Sequence, residues 1–182
     1  MSKVLNIRMP LSDAAVETMT AGTQVLLSGV IYTARDAAHK RLCELIARGE
    51  KLPFDLNGGA LYFVGPSPAR PGRVIGSAGP TTSYRMDAYS PTLMEHAGLK
   101  AMIGKGNRSR AVVDAMIRYK CVYLAAAGGA AALIAKCITA CEVVCYEDLG
   151  PEAVHRLEVK DLPLIVAIDC HGRNLYENPE IQ

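Results

Sequence analysis

The stretch Gly76–Asp87, which reads G-S-A-G-P-T-T-S-Y-R-M-D, predicts the local structure around which the rest of the chain is organised. The overlapping residues Arg73–Ser77 have the pattern of a strand, and Gly79-Pro80 breaks regular structure. Ser83 is predicted as the N-cap of a short helix toward Tyr89, because a serine oxygen accepts a free N–H of the first helical turn. The stretch therefore predicts a strand, a sharp loop and a helix start.

The predicted corner carries side chains that suit an anion. Thr81, Thr82 and Ser83 supply hydroxyls, and a helix start supplies free N–H groups with partial positive charge. Arg85 adds a guanidinium, which can bind a carboxylate through two parallel hydrogen bonds. A capped turn with a solvated arginine is the alternative, and the local sequence leaves both interpretations open.

Composition limits the classes of fold and partner. Half of the 182 residues are hydrophobic and 21% are charged, which predicts a sizeable core in a single domain over residues 1–182. With two Phe, eight Tyr and no Trp, the core is predicted to consist of Ala, Val, Ile and Leu. A net charge near +2, with acids and bases interspersed, argues against nucleic-acid binding and against a membrane-binding surface.

The sequence predicts neither an export signal nor a membrane span. Met1-Ser2-Lys3 leads directly into a short strand-like run and not into a long apolar segment. The most apolar window, Cys121–Ala135, has about 15 residues, whereas a membrane span needs roughly 20. We therefore expect a cytoplasmic protein.

The cysteines are expected to be reduced thiols, as in most cytosolic proteins. Three of them recur every four residues, which raises the question of a metal site, but Cys137 lies in a predicted helix and Cys145 in a strand-like run. They are therefore not expected to share a face, and we predict buried apolar side chains and no metal site in this chain. The six cysteines are Cys43, Cys121, Cys137, Cys141, Cys145 and Cys170.

Strand and helix patterns alternate in the second half of the chain, while the first half is richer in strands and turns. This order predicts an α/β domain with a mixed sheet. The strand patterns cover Lys3–Met9, Thr23–Tyr32, Ala60–Val64, Lys100–Ile103, Cys121–Ala127, Cys141–Tyr146, part of Ala153–Val159, and Leu164–Asp169. The helix patterns cover Asp13–Met19 after Ser12, a segment from about Thr33 to Arg48, Pro91 to Gly98, Arg108–Tyr119 and Ala130–Ile138.

Cations follow several predicted strands. Arg35 falls in a first helical turn, where its charge opposes the helix dipole and hints at an approaching anion, although a solvated arginine stays the alternative. Lys105 lies between two glycines, which would let the backbone approach a ligand closely. Since ligands bind at such strand ends, we hypothesise that Arg35, Arg85 and Lys105 gather at one rim of the sheet. His39 lies one helical turn from Arg35 and is interpreted as structural, with its role left open.

Two nucleotide-binding motifs are rejected on spacing. Gly98 precedes Gly104 by one position too many for a phosphate loop, and Gly106 stands where its magnesium ligand should be. Gly128-Gly129 lacks the three-glycine dinucleotide pattern, and tight helix packing is the better interpretation.

Five ordered motifs resemble one enzyme family. They resemble the β subunit, or C-terminal domain, of the iron–sulfur class I fumarate hydratases and the related L(+)-tartrate dehydratases, and the likeness covers nearly the whole chain. The motifs are R-D-A-A-H-K-R-L (35–42), D-L-N-G (55–58), G-P-T-T-S-Y-R-M-D (79–87), G-K-G-N (104–107) and the run from E-D-L-G-P-E-A-V (147–154) to P-L-I-V-A-I-D-C-H-G-R-N-L-Y (163–176).

The resemblance implies a swivelling β/β/α domain and the reversible addition of water to a small dicarboxylate such as fumarate. It also implies a 4Fe–4S cluster held by the cysteines of a partner α subunit, with none bound by this chain alone. The expected assembly is therefore a hetero-oligomer with that α subunit, with a homodimer open for the isolated chain.

The resemblance also implies roles for individual residues. Arg35, Arg85 and Lys105 match the carboxylate-binding positions, and Thr82 is similar to a substrate-contacting hydroxyl. Thr81 matches the group proposed to move the proton next to the hydroxyl-bearing carbon, for which a neutral threonine needs an activating environment.

Two questions stay open. Tyr84 stands where some fumarases carry a smaller residue, so the resemblance does not choose among fumarate, tartrate and methylated relatives. A non-catalytic module of the same fold, which binds an anion or serves assembly, is the alternative function.

Overall fold

The structure is a computed structural model, and it describes residues 4–126, 131–178 and 180. The predictions for Met1-Ser2-Lys3 and for Gly128-Gly129 lie outside these residues.

The chain forms a mixed sheet of seven strands with order β1-β2-β3-β4-β5-β7-β6. Each successive pair among β1 to β5 is parallel, while β7 runs antiparallel to β2, β5 and β6. Because β7 pairs with both β2 and β5, five strands close into a ring, and β1 and β6 extend it. The strands are β1 (Val4–Arg8), β2 (Gln24–Thr33), β3 (Ala60–Tyr62), β4 (Ala101–Gly104), β5 (Val122–Ala126), β6 (Ile138–Cys145) and β7 (Val154–Ile168).

Helices connect the parallel strands, as parallel pairing requires. Ser12 caps α1 by accepting the Ala15 N–H at 3.2 Å, as the sequence predicts. Gly98 ends α3 in the left-handed region at φ 71°. The helices are α1 (Asp13–Glu17), α2 (Asp36–Ala47), α3 (Ser90–Ala97), α4 (Arg110–Tyr119) and α5 (Ala131–Cys137), with 3₁₀ helices at Ser83–Met86 and Glu147–Glu152.

The two-residue period of the strands divides the core into two clusters. Ala60 and Tyr62 join the cluster shared by all five ring strands, while Leu61 and Phe63 pack with α2, α3 and α4. The mixed α/β fold is therefore confirmed, and its core uses more than Ala, Val, Ile and Leu, because Tyr62, Phe63 and Tyr123 are among the largest fully buried side chains.

Four local predictions are wrong. Arg73–Ser77 is an irregular loop, because Ser67 accepts the N–H groups of Gly76 and Ser77 through its carbonyl and its hydroxyl. The segments predicted as two C-terminal strands form the single strand β7, which passes through Asp161 at φ 51°. The loop predicted at residues 147–151 forms 3₁₀ turns that are kinked at Gly150, where φ is 59° and ψ is −123°.

The fourth error concerns Ser83. The N-cap of the short 3₁₀ helix is Thr82, and no side chain caps it. The Ser83 hydroxyl is buried and bonds to other elements.

Within the described ranges, no helix combines the length and the apolar character that crossing a membrane requires.

Candidate functional site

The predicted site residues follow the carboxyl ends of three adjacent parallel strands. Arg35 follows β2, Thr81 and Thr82 return to the end of β3 after a long loop, and Lys105 follows β4. Carboxyl ends of parallel strands share one edge of a sheet, where ligands commonly bind. We call Arg35, Thr81–Arg85 and Lys105 together the carboxyl edge.

Backbone hydrogen bonds join the threonine loop to β3 and β4. The Thr81 N–H donates to the Phe63 carbonyl at 2.7 Å, and the Ser83 N–H donates to the Lys105 carbonyl at 3.0 Å. Thr82 and Lys105 form a parallel bridge between them. Two motifs more than twenty residues apart therefore lie side by side.

The Ser83 hydroxyl adds a second connection between these loops. It accepts the Lys105 N–H at 3.1 Å and bonds to the Tyr123 hydroxyl at 2.8 Å. The Tyr123 hydroxyl donates to the Gly106 carbonyl at 2.8 Å, so the Ser83 hydroxyl must be the donor to Tyr123. Burial raises the pKa of Tyr123, which keeps the phenol protonated for this bond.

Gly104 makes this close approach possible. A Cβ at this position would overlap the Ser83 hydroxyl and would lie 3.0 Å from Phe63 Cδ2. The glycine before Lys105 is therefore required by packing against the threonine loop, in addition to any approach of a ligand.

Arg35 is held by acids of its own chain. It is the N-cap residue of α2, its side chain is 27% exposed, and its Nε lies 3.3 Å from Glu152 Oε1 and 3.8 Å from Asp36 Oδ1. A helix-start cation opposes the dipole, and these two carboxylates offset that cost. These two ion pairs orient the Arg35 guanidinium, although its buried Nε makes no hydrogen bond within the described residues.

His39 supports Arg35 from inside the core. Its side chain is fully buried, and its Nδ1 lies 2.8 Å from the Arg35 carbonyl, which can only accept, so Nδ1 carries the proton. Burial lowers the pKa of His39 to about 4, so the ring is neutral at pH 7. This geometry favours the structural interpretation of His39.

The other predicted residues are more open. Thr82, Arg85 and Lys105 are exposed, Thr81 is partly buried, and Tyr84 is 62% exposed. Within residues 4–126, 131–178 and 180, neither Arg85 nor Lys105 forms a salt bridge. Exposed cations on two adjoining loops can receive an external carboxylate.

Sequence reasoning missed an ion pair beneath this edge. The Arg108 side chain is 0% exposed, and its Nε lies 2.6 Å from Asp87 Oδ1. The two residues are 21 positions apart. Asp87 closes one recognised motif and Arg108 directly follows another, without any local signal that they meet.

Two cavities border the 66–77 loop and not the predicted site residues. A cavity of about 780 Å³ is lined by the 67–77 loop and α5, and one of about 410 Å³ by the 66–75 loop, β6 and the turn before β7. None of Arg35, Thr81, Thr82, Arg85 and Lys105 lines either cavity. The exposed side chains of the carboxyl edge, Thr82, Tyr84, Arg85 and Lys105, therefore lie outside both cavities.

The six cysteines are free thiols, and burial raises the pKa of each. The prediction that all are buried is wrong, because only Cys121 and Cys170 are. The residues from Cys137 to Cys145, which we call the cysteine segment, run from the last residue of α5 through β6, as the sequence predicts. In the part of the chain that the structure describes, no three His, Cys, Asp or Glu side chains are grouped to hold a metal ion.

Comparison with known proteins finds one family along the chain. The sequence model of the family described as Fumarase C-terminus matches residues 1–179. A Methanocaldococcus jannaschii protein assigned as L(+)-tartrate dehydratase subunit beta is 41% identical over 172 residues, which is 92% of this chain and 88% of that protein. The anaerobic class I fumarate hydratase of Escherichia coli is 36% identical over 176 residues, which is 95% of this chain and 32% of that protein.

The relatives therefore differ in length. The chain spans most of the tartrate dehydratase relative but only about a third of the fumarate hydratases, including a Leishmania major fumarate hydratase that is 38% identical over 156 residues, or 28% of its own length.

Proposed function

Since this chain belongs to the Fumarase C-terminus family, we propose that it is the β subunit of a two-chain hydro-lyase. The proposed reaction is the reversible addition of water to a small dicarboxylate, with fumarate to malate first and tartrate dehydration second. The relatives' names support both substrates. The relative named as a beta subunit is a tartrate dehydratase, and the longer relatives are fumarate hydratases.

One observation carries the proposal. The Thr82–Lys105 bridge places the threonine motif beside the Gly-Lys-Gly motif at an exposed sheet edge. A ligand at this edge would meet hydroxyls from one loop and an ammonium from the other, next to the guanidinium of Arg85. That combination suits a carboxylate flanked by polar groups.

In this proposal the cations bind the substrate's carboxylates. Arg85 and Lys105 bind one carboxylate, Arg35 contributes to the other, and Thr82 contacts the substrate through its hydroxyl. During dehydration, removal of the proton at carbon leaves negative charge on the adjacent carboxylate. Arg85 and Lys105 stabilise that charge, which is worth most in a site closed to water.

Thr81 moves the proton in this scheme. Its hydroxyl is a weak base by itself, so the surrounding positive charge of Lys105 must favour its deprotonated form. The acid that protonates the leaving hydroxyl is expected from the partner subunit. The exposure of Thr82, Arg85 and Lys105 supports this division, because a second surface is needed to exclude water from them.

This chain's cysteines do not fit a 4Fe–4S cluster. Cluster ligands are thiolates, and burial here raises the cysteine pKa values, while the cysteine segment spreads its thiols over two elements. We therefore place the cluster on the α subunit and derive no step through it from this chain.

The remaining parts of the proposal concern the whole assembly. We propose a cytoplasmic hetero-oligomer in which residues 1–182 form one swivelling domain against the α subunit. The net charge near +2 and the interspersed acids and bases support a small-molecule substrate over a nucleic acid.

The test is Arg85→Ala in the mixed α/β complex, with kcat/KM measured on malate and on tartrate. We expect a fall on the order of 10²–10³-fold, the usual cost of removing one transition-state charge partner. Arg110→Ala is the matched control, because Arg110 is an exposed arginine on α4 that pairs with Asp114 on its own helix. A wild-type rate in Arg85→Ala would overturn the assignment of Arg85.

A further inference from the structure

We propose that the buried Asp87–Arg108 ion pair is a positioning element that fixes Arg85 relative to Lys105. The proposal rests on the function proposed above and adds two residues to its site. Neither residue is a substrate-binding group, because the Arg108 side chain is 0% exposed and the Asp87 side chain 15% exposed.

The carboxylate of Asp87 binds two successive residues, Arg108 and Ser109, of the loop that follows Lys105. Its Oδ1 lies 2.6 Å from Arg108 Nε, and its Oδ2 accepts the Ser109 N–H at 2.7 Å. One side chain thus fixes the backbone just after Lys105. The same residue ends the 3₁₀ helix that carries Arg85, since the Asp87 N–H donates to the Tyr84 carbonyl at 3.1 Å.

The guanidinium of Arg108 is bound on every side. Its NH2 donates to the Ser90 hydroxyl at 2.8 Å, and its NH1 lies 3.2 Å from Met102 Sδ. Its central carbon lies 5.2 Å from the ring centroid of Phe63 and 5.0 Å from that of Tyr123. Aromatic faces attract a cation most strongly where water is excluded, so this site specifically accommodates a charged arginine.

The pair completes a two-point connection between the loops. Before Arg85 in the chain, the Ser83 N–H donates to the Lys105 carbonyl. After Arg85, the Asp87 carboxylate bonds to Arg108 and Ser109. Arg85 lies between the two connections on its loop, so its backbone cannot shift relative to Lys105 unless one connection breaks.

A purely stabilising role is the competing account. Buried ion pairs contribute little net stability compared with apolar side chains of similar volume, because both charges lose their water. Retaining one here is better explained by geometry, since a directed carboxylate fixes two loops in one arrangement. Displacement of a binding group by about 1 Å can cost on the order of a hundredfold in rate.

The first test is hydrogen exchange on the full isolated chain, which needs no activity. Asp87→Asn should remove protection at the Ser83 and Lys105 amides while the amides of β2 and β7 stay protected. Asp114→Asn is the matched control, because it neutralises an exposed aspartate paired with Arg110 on α4. Unchanged protection at Ser83 and Lys105 in folded Asp87→Asn would overturn the proposal, even if the chain proves to have no hydro-lyase activity.

The second test uses kinetics of the α/β complex. Loosened positioning should raise KM for the dicarboxylate at least about tenfold in Asp87→Asn. Loss of stability alone would lower kcat through a smaller active fraction and leave KM unchanged, and that result would overturn the proposal. A wild-type complex without activity would instead refute the proposed function, while the exchange result would still decide the positioning claim.

A double variant shows whether Asp87 acts through Arg85. If it does, Arg85→Ala/Asp87→Asn should have the KM of Arg85→Ala alone, whereas independent effects would multiply. If Asp87→Asn does not fold, Ser90→Ala removes one partner of Arg108 without leaving a charge unpaired. It should raise KM about threefold, and an unchanged KM there would count against the proposal.

Discussion

The carboxyl edge and the cysteine segment differ in how they assemble their side chains. The carboxyl edge takes its residues from the ends of three strands, and the Thr82–Lys105 bridge and the Ser83 hydroxyl join the loops that follow β3 and β4. The cysteine segment has three thiols spaced four residues apart, but the chain changes from α5 to β6 directly after the first of them. Parallel strand order brings distant residues together, whereas regular spacing does so only within one type of element.

The largest predicted effect on the carboxyl edge is on turnover at Thr81. Thr81→Ala should lower kcat of the α/β complex by on the order of 10²–10⁴-fold, the usual contribution of a proton-transfer group, with KM little changed. Steady-state kinetics on malate measures both constants.

Thr81→Ser is the matched variant, because it keeps the hydroxyl and removes one methyl group. It should keep most of the turnover. A Thr81→Ala enzyme with nearly wild-type kcat would show that the threonine loop binds substrate without moving a proton.

His39 provides a pH-dependent test of how the core supports the edge. Its pKa in the folded chain is about 4, below the ordinary value of 6.5. Between pH 4 and pH 6.5 the unfolded chain therefore binds a proton that the folded chain does not. Stability from His39 is therefore fully present above pH 6.5 and is lost as the pH falls toward 4, by about 3 kcal/mol in all.

His39→Asn should remove this pH dependence while keeping a donor near the Arg35 carbonyl. Urea unfolding of both chains between pH 7 and pH 4 measures the difference. His96→Asn is the matched control, because it replaces a histidine on α3 whose side chain is 53% exposed. Equal slopes for wild type and His39→Asn would mean that His39 does not have its low pKa.

Much of the fold was predictable from local patterns. Short runs rich in Val, Leu and Ile located most of the strands, and Ser12 and Gly98 located helix ends, because those signals act within a few residues. Arg73–Ser77 failed because Ser67, ten residues before Ser77, takes the N–H groups that a strand partner would have taken.

The site was predictable only in part. The resemblance identified Arg35, Thr81, Thr82, Arg85 and Lys105, and their substrate roles stay predictions. The sequence could not show that Ser83 bonds to Tyr123 or that Asp87 meets Arg108, since these contacts depend on the order of β3, β4 and β5 in the sheet.

Two glycine-to-alanine variants test the tight packing of the carboxyl edge, with a smaller expected effect on stability. Gly104→Ala places a Cβ against the Ser83 hydroxyl and 3.0 Å from Phe63 Cδ2, so we expect a loss of about 1–3 kcal/mol in the free energy of unfolding. Gly79→Ala on the neighbouring loop makes only an ordinary contact, 3.5 Å from Ala131 Cβ, and should change stability by less than about 0.5 kcal/mol. Equal effects in urea unfolding would contradict the close approach of the two loops.

The smallest effect is expected in the cysteine segment. Replacing Cys137, Cys141 and Cys145 together by serine should leave both the iron content and the kcat/KM of the α/β complex at wild-type values. Iron analysis and kinetics on the same preparation measure both. Loss of iron in the triple variant would show that the cysteine segment holds metal in the assembly. It would then form a site, as the carboxyl edge is proposed to do.

The central claim is that the carboxyl edge becomes a dicarboxylate site only with a second subunit. The most direct measurement is anaerobic hydro-lyase activity on malate and on tartrate, for this chain alone and with a cluster-reconstituted α subunit. We predict no turnover for this chain alone and turnover in the mixture, with the faster substrate identifying the enzyme. An inactive mixture with an intact cluster would contradict the claim and favour a module that binds an anion without catalysis.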